Sequence, residues 1–231
     1  MINTLNDILL SNNVVKNFHE FYSNNNAFKL WINSILPEIE KCAKLKQDNP
    51  WHIYNCLDHI LHSVDEVNKL SLGLDYKWRR ILAYTMFLHD IGKPECLIRR
   101  YSKLYKREID SFFNHNLASK KIAERVLPSF YFDREDSSLI TTLIEEHDMF
   151  MFLTLDESDK NPHHQLLTPE YINEKINELN SKTSNGFITL SLLWCVGRAD
   201  NKAQNPEMTK NSLILLDKFK EILISTETKT K

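Results

Sequence analysis

Glycine is scarce in this sequence, with four residues in 231: Gly73, Gly92, Gly186 and Gly197. So few cannot serve the tight turns of a many-stranded fold, so a mainly helical chain is expected. The four cysteines, Cys42, Cys56, Cys96 and Cys195, are widely spaced and form no CxxC. That spacing argues against a disulfide framework and for reduced thiols in a cytoplasmic protein. No apolar run approaches the roughly 20 residues of a membrane span. The N-terminus, Met1-Ile2-Asn3-Thr4, is not a basic region leading into a long apolar segment, so no signal peptide is expected. Neither sign of charge dominates, the formal net charge being −2. No overall field therefore recruits nucleic acid or acidic lipid, and any phosphate recognition must be local. Internal repeats and long low-complexity segments are absent too.

What is present suits one globular domain over residues 1–231, with 42% hydrophobic and 26% charged residues. A chain of this length buries a core without staples. Residues 1–50 read as two or three helices, one with Phe28, Leu30, Trp31, Ile35 and Leu36 as its apolar part. After Pro50, the residues Ile53, Leu57, Ile60, Leu61, Val64 and Val67 recur at helical spacing. A further helix is expected from about Trp78 to His89, ended by Gly92 and Pro94. Residues 95–111 give no clean helical face and read as a long loop or a small hairpin. Helical pattern returns near 116–127, 136–147, 168–180, 186–203 and 208–224, with a loop over 151–167 and a fraying polar tail from Ser225 to Lys231.

His89 and Asp90 stand side by side in Leu88-His89-Asp90-Ile91-Gly92-Lys93-Pro94. An imidazole and a carboxylate in sequence offer two ligands to one metal ion, and the apolar run from Ala83 to Leu88 carries them toward the interior. A carboxylate there costs several kcal/mol unless it is paired or bound to a cation. Asp200 shares a helical stripe with Leu190, Leu193 and Gly197, so a metal, or a hydrogen bond to Arg198 or Asn201, has to account for it. His59 falls on the flank of its helix with His52 two turns before it. Periodicity alone makes either a boundary histidine, and His115 and His147 at helix edges have the same simple reading. His62 lies on a polar face, and His19, His163 and His164 lie in polar surroundings, so these four read as surface residues.

In order along the chain, His59, His89-Asp90, His115, His147 and Asp200 resemble the ligand set of the HD-domain metal phosphohydrolases. The flanking text carries the likeness: Leu57-Asp58-His59, Leu-His-Asp-Ile-Gly-Lys-Pro, Phe112-Phe113-Asn114-His115, Leu143-Ile144-Glu145-Glu146-His147-Asp148 and Gly197-Arg198-Ala199-Asp200. The nearest flavour is the HD domain of bacterial tRNA nucleotidyltransferases and poly(A) polymerase-like proteins. No glycine pair leading to a paired-aspartate motif precedes it, so the resemblance is to a freestanding HD domain. It implies an all-α helical bundle with its core over about residues 50–204, a helical extension over 1–49 and a final helix over about 206–224.

The resemblance implies one metal held by His59, His89, Asp90 and Asp200. A second would be held by His115 and His147, with Asp90 as the bridge. Manganese, iron, cobalt, nickel, zinc and magnesium all suit such mixed ligands. Water activated by the metal replaces a serine or cysteine nucleophile, and no GxSxG is present. Asp90 and Lys93 are the catalytic candidates, with Lys93 placed to meet a phosphate oxygen or, more simply, solvated at a helix end. His52, Arg99, Arg100 and Arg198 are candidate substrate contacts. The basic stretch of Arg99, Arg100, Lys103, Lys106 and Arg107, interleaved with Tyr101 and Tyr105, reads either as a receptor for phosphate or a single-stranded RNA end, or as a solvated loop.

The expected activity is hydrolysis of a phosphomonoester or a 2′,3′-cyclic phosphodiester, the substrate being a phosphorylated small molecule, a nucleotide or an RNA 3′ end. A nucleotidase or dinucleoside polyphosphate hydrolase uses the same ligands. A module that senses a nucleotide without turnover is the alternative of another class, and oxidation at a di-iron centre has no specific support. No membrane partner is expected, and no heptad pattern speaks for an oligomer.

Overall fold

Polar caps start most of the helices. The side chains of Asn13, Asn25, Asn55, Asp75, Asp133, Thr168 and Asn185 each accept a hydrogen bond from the backbone N–H three residues on. Each satisfies a donor that the first helical turn leaves without a partner. The computed structural model describes residues 1–229, and among them the chain forms an all-α bundle with two small sheets. The helices are α1 (Ile2–Leu9), α2 (Val14–Asn24), α3 (Asn26–Ile35), α4 (Glu38–Lys44), α5 (Cys56–Leu70), α6 (Tyr76–Leu88), α7 (His115–Val126), α8 (Arg134–Glu146), α9 (Pro169–Asn180), α10 (Gly186–Lys202) and α11 (Pro206–Lys229). Strands β1 (Ile98–Ser102) and β2 (Arg107–Ser111) form an antiparallel hairpin, as expected between 95 and 111.

Helix α6 is the axis of the bundle. Every residue from Ile81 to Leu88 is buried, so the helix has no solvent face over two turns. Helices α5, α7, α8 and α10 pack around it. The end of α6 therefore delivers His89 and Asp90 into the interior instead of to the surface. One apolar cluster draws on residues from Leu5 in α1 to Leu223 in α11.

Gly92 sets how closely α7 approaches this corner. Its N–H donates to Ser119 Oγ at 2.9 Å. A Cβ on Gly92 would lie 2.5 Å from the Ser119 nitrogen and 2.7 Å from Ala118 Cβ. Gly92→Ala must push α7 away, at an expected cost of about 1–3 kcal/mol. The check is the urea midpoint at unchanged slope, and a midpoint equal to the parent's would mean that the gap yields freely.

Several boundaries differ from expectation. The first 50 residues hold four helices and not two or three, because Asn13, Asn25 and Pro37 break the apolar pattern into short pieces. Ile53 lies outside α5 and is exposed, since the Asn55 cap starts that helix at Cys56. The expected loop at 151–167 contains a short parallel pairing of β3 (Leu153–Thr154) with β4 (Gln165–Leu166). The last helix continues through most of the tail expected to fray, to Lys229, and Thr230 and Lys231 lie outside the described residues. Among the described residues, no helix is long and apolar enough to cross a membrane.

Candidate metal centre

Four imidazoles converge on Asp90, each oriented by its own backbone contact. His89 Nδ1 lies 2.7 Å from the Met86 carbonyl and His147 Nδ1 lies 2.7 Å from that of Ile144. Both histidines follow directly on a helix, α6 and α8, where the last carbonyls have no intrahelical partner and accept from the ring. His115 Nδ1 is 2.8 Å from the Phe112 carbonyl, in the turn where Asn114 adopts the left-handed conformation at φ 61°. His59 Nδ1 faces the Ala203 carbonyl at 3.3 Å. A carbonyl only accepts, so Nδ1 carries the proton in each ring. In a neutral ring Nε2 then offers a lone pair, which is the arrangement a metal ligand needs.

The Nε2 atoms fall into two groups around one carboxylate. His59 Nε2 lies 3.1 Å from Asp90 Oδ2 and 2.9 Å from Asp200 Oδ1. His89 Nε2 lies 3.3 Å and 3.5 Å from the same two oxygens. The other oxygen of Asp90, Oδ1, lies 3.1 Å from His115 Nε2 and 3.8 Å from His147 Nε2. His59, His89, Asp90 and Asp200 can thus hold one metal ion, and Asp90, His115 and His147 another.

Five helices position these side chains, His89 and Asp90 following directly on α6. His59 comes from α5, Asp200 from α10, His115 from the start of α7 and His147 from the end of α8. Asn116 Nδ2 donates to the Glu145 carbonyl at 2.7 Å and Lys120 pairs with the Glu145 carboxylate at 2.8 Å. These links hold α7 against α8 and bring His115 Nε2 to 3.2 Å from His147 Nε2. Behind the corner, the Cys56 thiol donates to the Asp90 carbonyl at 3.6 Å.

Buried polar atoms left without a hydrogen bond test whether a cation belongs here. They include His59 Nε2, His89 Nε2, both carboxylate oxygens of Asp90 and Asp200 Oδ1. These atoms crowd together, yet none is aligned to bond another. Native proteins leave few buried polar groups unsatisfied. Imidazole nitrogens and carboxylate oxygens that converge on common points, several of them unsatisfied, are a donor set that fits a divalent ion.

The charges respond to the crowding. Burial favours the neutral carboxyl of Asp90, but His89 and Lys93 outweigh it and hold the group well below the usual carboxylate range. Asp200 is likewise held low, its burial outweighed by His59 and His89. Burial alone would lower the pKa of His89, but Asp90 and Asp200 push it up to about 10. His89 therefore carries a proton at neutral pH without metal, and metal binding must displace it. Adding a divalent ion to chelator-stripped protein near neutral pH is expected to release protons, and metal affinity is expected to weaken as pH falls. Titration calorimetry in buffers of different ionisation enthalpy measures the release, and identical heats in all of them would contradict it.

Periodicity puts His59 on a helix flank, but α10 covers that flank and the residue is 1% exposed. Asp200 bonds neither Arg198 nor Asn201: it receives a hydrogen bond from Gln204 Nε2 at 3.0 Å and faces His59. Lys93 is not solvated. It is 4% exposed, and its Nζ lies 2.5 Å from Asp90 Oδ2, 3.1 Å from Gln47 Oε1 and 3.0 Å from His52 Nε2. His52 Nδ1 donates to Asn49 Oδ1 at 2.8 Å, so Nε2 is free to accept from Lys93, and burial lowers the pKa of the ring well below the usual value.

Three candidate substrate contacts lie elsewhere. Arg99 pairs with Asp48, Glu108 and Asp110. Arg100 donates to Ser111 Oγ and lies over the Phe113 ring. Arg198 turns to Asp217 on α11, not toward its neighbour Asp200. Much of the basic stretch is thus neutralised by carboxylates of the hairpin and of Asp48, and Arg107 also pairs with Asp48. Tyr105 packs edge-on against Trp51, while Tyr101 is exposed. Of the histidines read as surface residues, His62 stacks on Tyr54, His19 pairs with Asp58 and His164 pairs with Asp159.

Two residues in the cluster went unread in the sequence. Gln47 gives no signal, because it reaches Lys93 only through a backbone turn with φ 55°. Asp148 lies 3.4 Å from His115 Nε2 and 3.5 Å from His147 Nε2. Its signal is a second His-Asp pair, His147-Asp148, repeating His89-Asp90.

No protein-family model matches the chain. Its sequence is similar to that of a bifunctional uridylyltransferase/uridylyl-removing enzyme from Bradyrhizobium sp. (strain ORS 278), at 24% identity over 123 residues. The match covers 46% of this chain and 11% of that enzyme, so the similarity concerns a small part of a much longer protein.

Proposed function

We propose that this chain is a single HD-type domain acting as a metal-dependent phosphohydrolase, on a phosphomonoester or 2′,3′-cyclic phosphodiester of a nucleotide or RNA 3′ end. The observation that carries the reading is the division of Asp90: one oxygen faces the His59 and His89 pair and the other faces the His115 and His147 pair. His59, His89, Asp90 and Asp200 would hold one ion, and His115 and His147 would share Asp90 with a second. A bound divalent metal lowers the pKa of water and draws charge from phosphoryl oxygens, so the chain needs no nucleophile of its own. The fixed Nδ1 contacts keep the Nε2 lone pairs aimed inward. Burial keeps bulk water from competing for the carboxylates. Lys93, steadied by Gln47 and His52, supplies a positive charge beside the cluster for a substrate phosphate oxygen.

The similar enzyme's name includes uridylyl removal. That favours a second form of the same chemistry, in which a nucleotidyl ester is the substrate. The experiment is to purify the protein without chelator, measure its metal, and assay 2′,3′-cyclic nucleotides, nitrophenyl phosphate and the nitrophenyl ester of UMP with each candidate metal. Hydrolysis of one class identifies the ester. Tight nucleotide binding without product, in protein with bound metal, would favour a sensing module and overturn the proposal.

Chelation gives an independent check. Treatment with EDTA is expected to abolish turnover and lower the melting temperature. Readdition of metal at about 100 times its Kd should restore about 2.7 kcal/mol of stability. A melting temperature indifferent to metal would contradict occupancy of the cluster.

A further inference from the structure

We propose that Asp148 is a ligand of the second metal position, completing it with His115, His147 and one oxygen of Asp90. The inference rests on the two-metal reading above and extends it to a residue outside the four-histidine, two-aspartate set. Asp148 Oδ2 lies 3.4 Å from His115 Nε2, and Oδ1 lies 3.5 Å from His147 Nε2. Each carboxylate oxygen thus faces a different imidazole of the same pair.

Neither contact is an ordinary hydrogen bond. Both rings give their Nδ1 protons to backbone carbonyls, so in the neutral rings Nε2 presents a lone pair to the carboxylate. The two Nε2 atoms also face one another at 3.2 Å. Two imidazole nitrogens and both oxygens of a carboxylate thus converge on one point, a geometry that a proton shared between the rings or a metal ion among them makes attractive. Among the described residues Asp148 has no other ion pair and no hydrogen bond, so no lysine or arginine accounts for its position.

Ligand number and charge point the same way. The first group has two histidines and two carboxylates, whereas the second without Asp148 has two histidines and a share of Asp90. With Asp148 each position has two nitrogen and two carboxylate donors, and the pair of dications meets three carboxylates in place of two. Asp148 is 24% exposed at the side chain, against 1% for Asp90. It therefore stands on the solvent side of the pair, and its removal leaves no buried cavity. A carboxylate-rich second position suits a hard dication such as Mn2+ better than three ligands of which two are imidazoles.

The test is Mn2+ binding to the full chain by equilibrium dialysis and electron paramagnetic resonance, comparing the parent with Asp148→Asn and Asp148→Ala. The parent is expected to bind two equivalents and give a spin-coupled spectrum. Both variants should bind the first equivalent unchanged and the second at least about 100-fold more weakly, leaving the six-line spectrum of an isolated ion. Metal-free melting temperatures near the parent's would show that the variants fold. Two equivalents bound as tightly by both variants would overturn the assignment and leave the metal-site reading intact. A parent that binds only one equivalent would also overturn it, and a parent that binds none would remove both readings.

Discussion

Asp90→Ala is expected to abolish metal binding at both positions and to reduce turnover at least about 1,000-fold, equivalent to about 4 kcal/mol of barrier. The size of the effect follows from the sharing of one carboxylate. Asp90 Oδ2 serves the His59 and His89 side, and Oδ1 serves the His115 and His147 side. No single substitution at a histidine touches both. The same change strips Lys93 of its buried counter-charge at 2.5 Å, which costs about 3–5 kcal/mol when one partner of a buried pair is lost. The variant should therefore melt lower than the parent without metal and gain nothing when metal is added. Metal analysis, thermal melting and turnover read the three effects separately. Normal turnover in Asp90→Ala would refute the assignment of the centre.

Lys93→Met is expected to separate metal binding from turnover. In the metal-free protein the Lys93 ammonium is the cation nearest Asp90, and it competes for the carboxylate that a metal would use. Burial would lower its pKa, but Asp90 raises it, so the group stays charged. Replacing it with an uncharged side chain of similar length should tighten metal affinity about tenfold or more, while turnover falls about 100- to 1,000-fold for want of a positive group at the substrate phosphate. Metal-free Lys93→Met leaves Asp90 with one fewer counter-charge in the interior, so its melting temperature should drop and metal should restore more of it than in the parent. Weaker metal binding would instead make Lys93 a support for the ligands. Unchanged turnover would remove it from substrate contact.

The contrast between these variants depends on the surroundings of Lys93, which its neighbours in sequence do not disclose. As a residue after Gly92 in a helix-ending turn it reads equally well as solvated. Its burial comes from Gln47 and His52, more than forty positions away in the segment between α4 and α5. The basic stretch from Arg99 to Arg107 has the converse history. Five cations within nine positions suggest a phosphate receptor, but Asp48 sits within reach of both Arg99 and Arg107 once the hairpin folds back on the segment before α5. Charge partners so distant in sequence arise only from packing.

Local pattern carried much of the rest. Few glycines and repeated apolar spacing specify a helical bundle, because 3.6-residue periodicity is a property of the chain before it folds. The run from Ala83 to Leu88 already implies that His89 and Asp90 enter an interior, and the stripe through Leu190, Leu193 and Gly197 implies the same for Asp200. The early boundaries between helices were harder to read, since capping asparagines such as Asn13 and Asn25 interrupt an apolar pattern that looks continuous.

What packing alone decided is which side of each element faces which neighbour. His59 lies on a flank that periodicity assigns to a boundary, and only the arrival of α10 buries it beside Asp200. His115 and His147 stand at helix ends with ordinary local contacts, and only the clamp of α7 on α8 through Glu145 sets their rings face to ring edge. Asp148 reads as the residue after a histidine until both rings come to face its carboxylate. A chain's periodicity records how much of each helix is apolar, whereas a metal centre depends on directions, and directions exist only after the helices have packed.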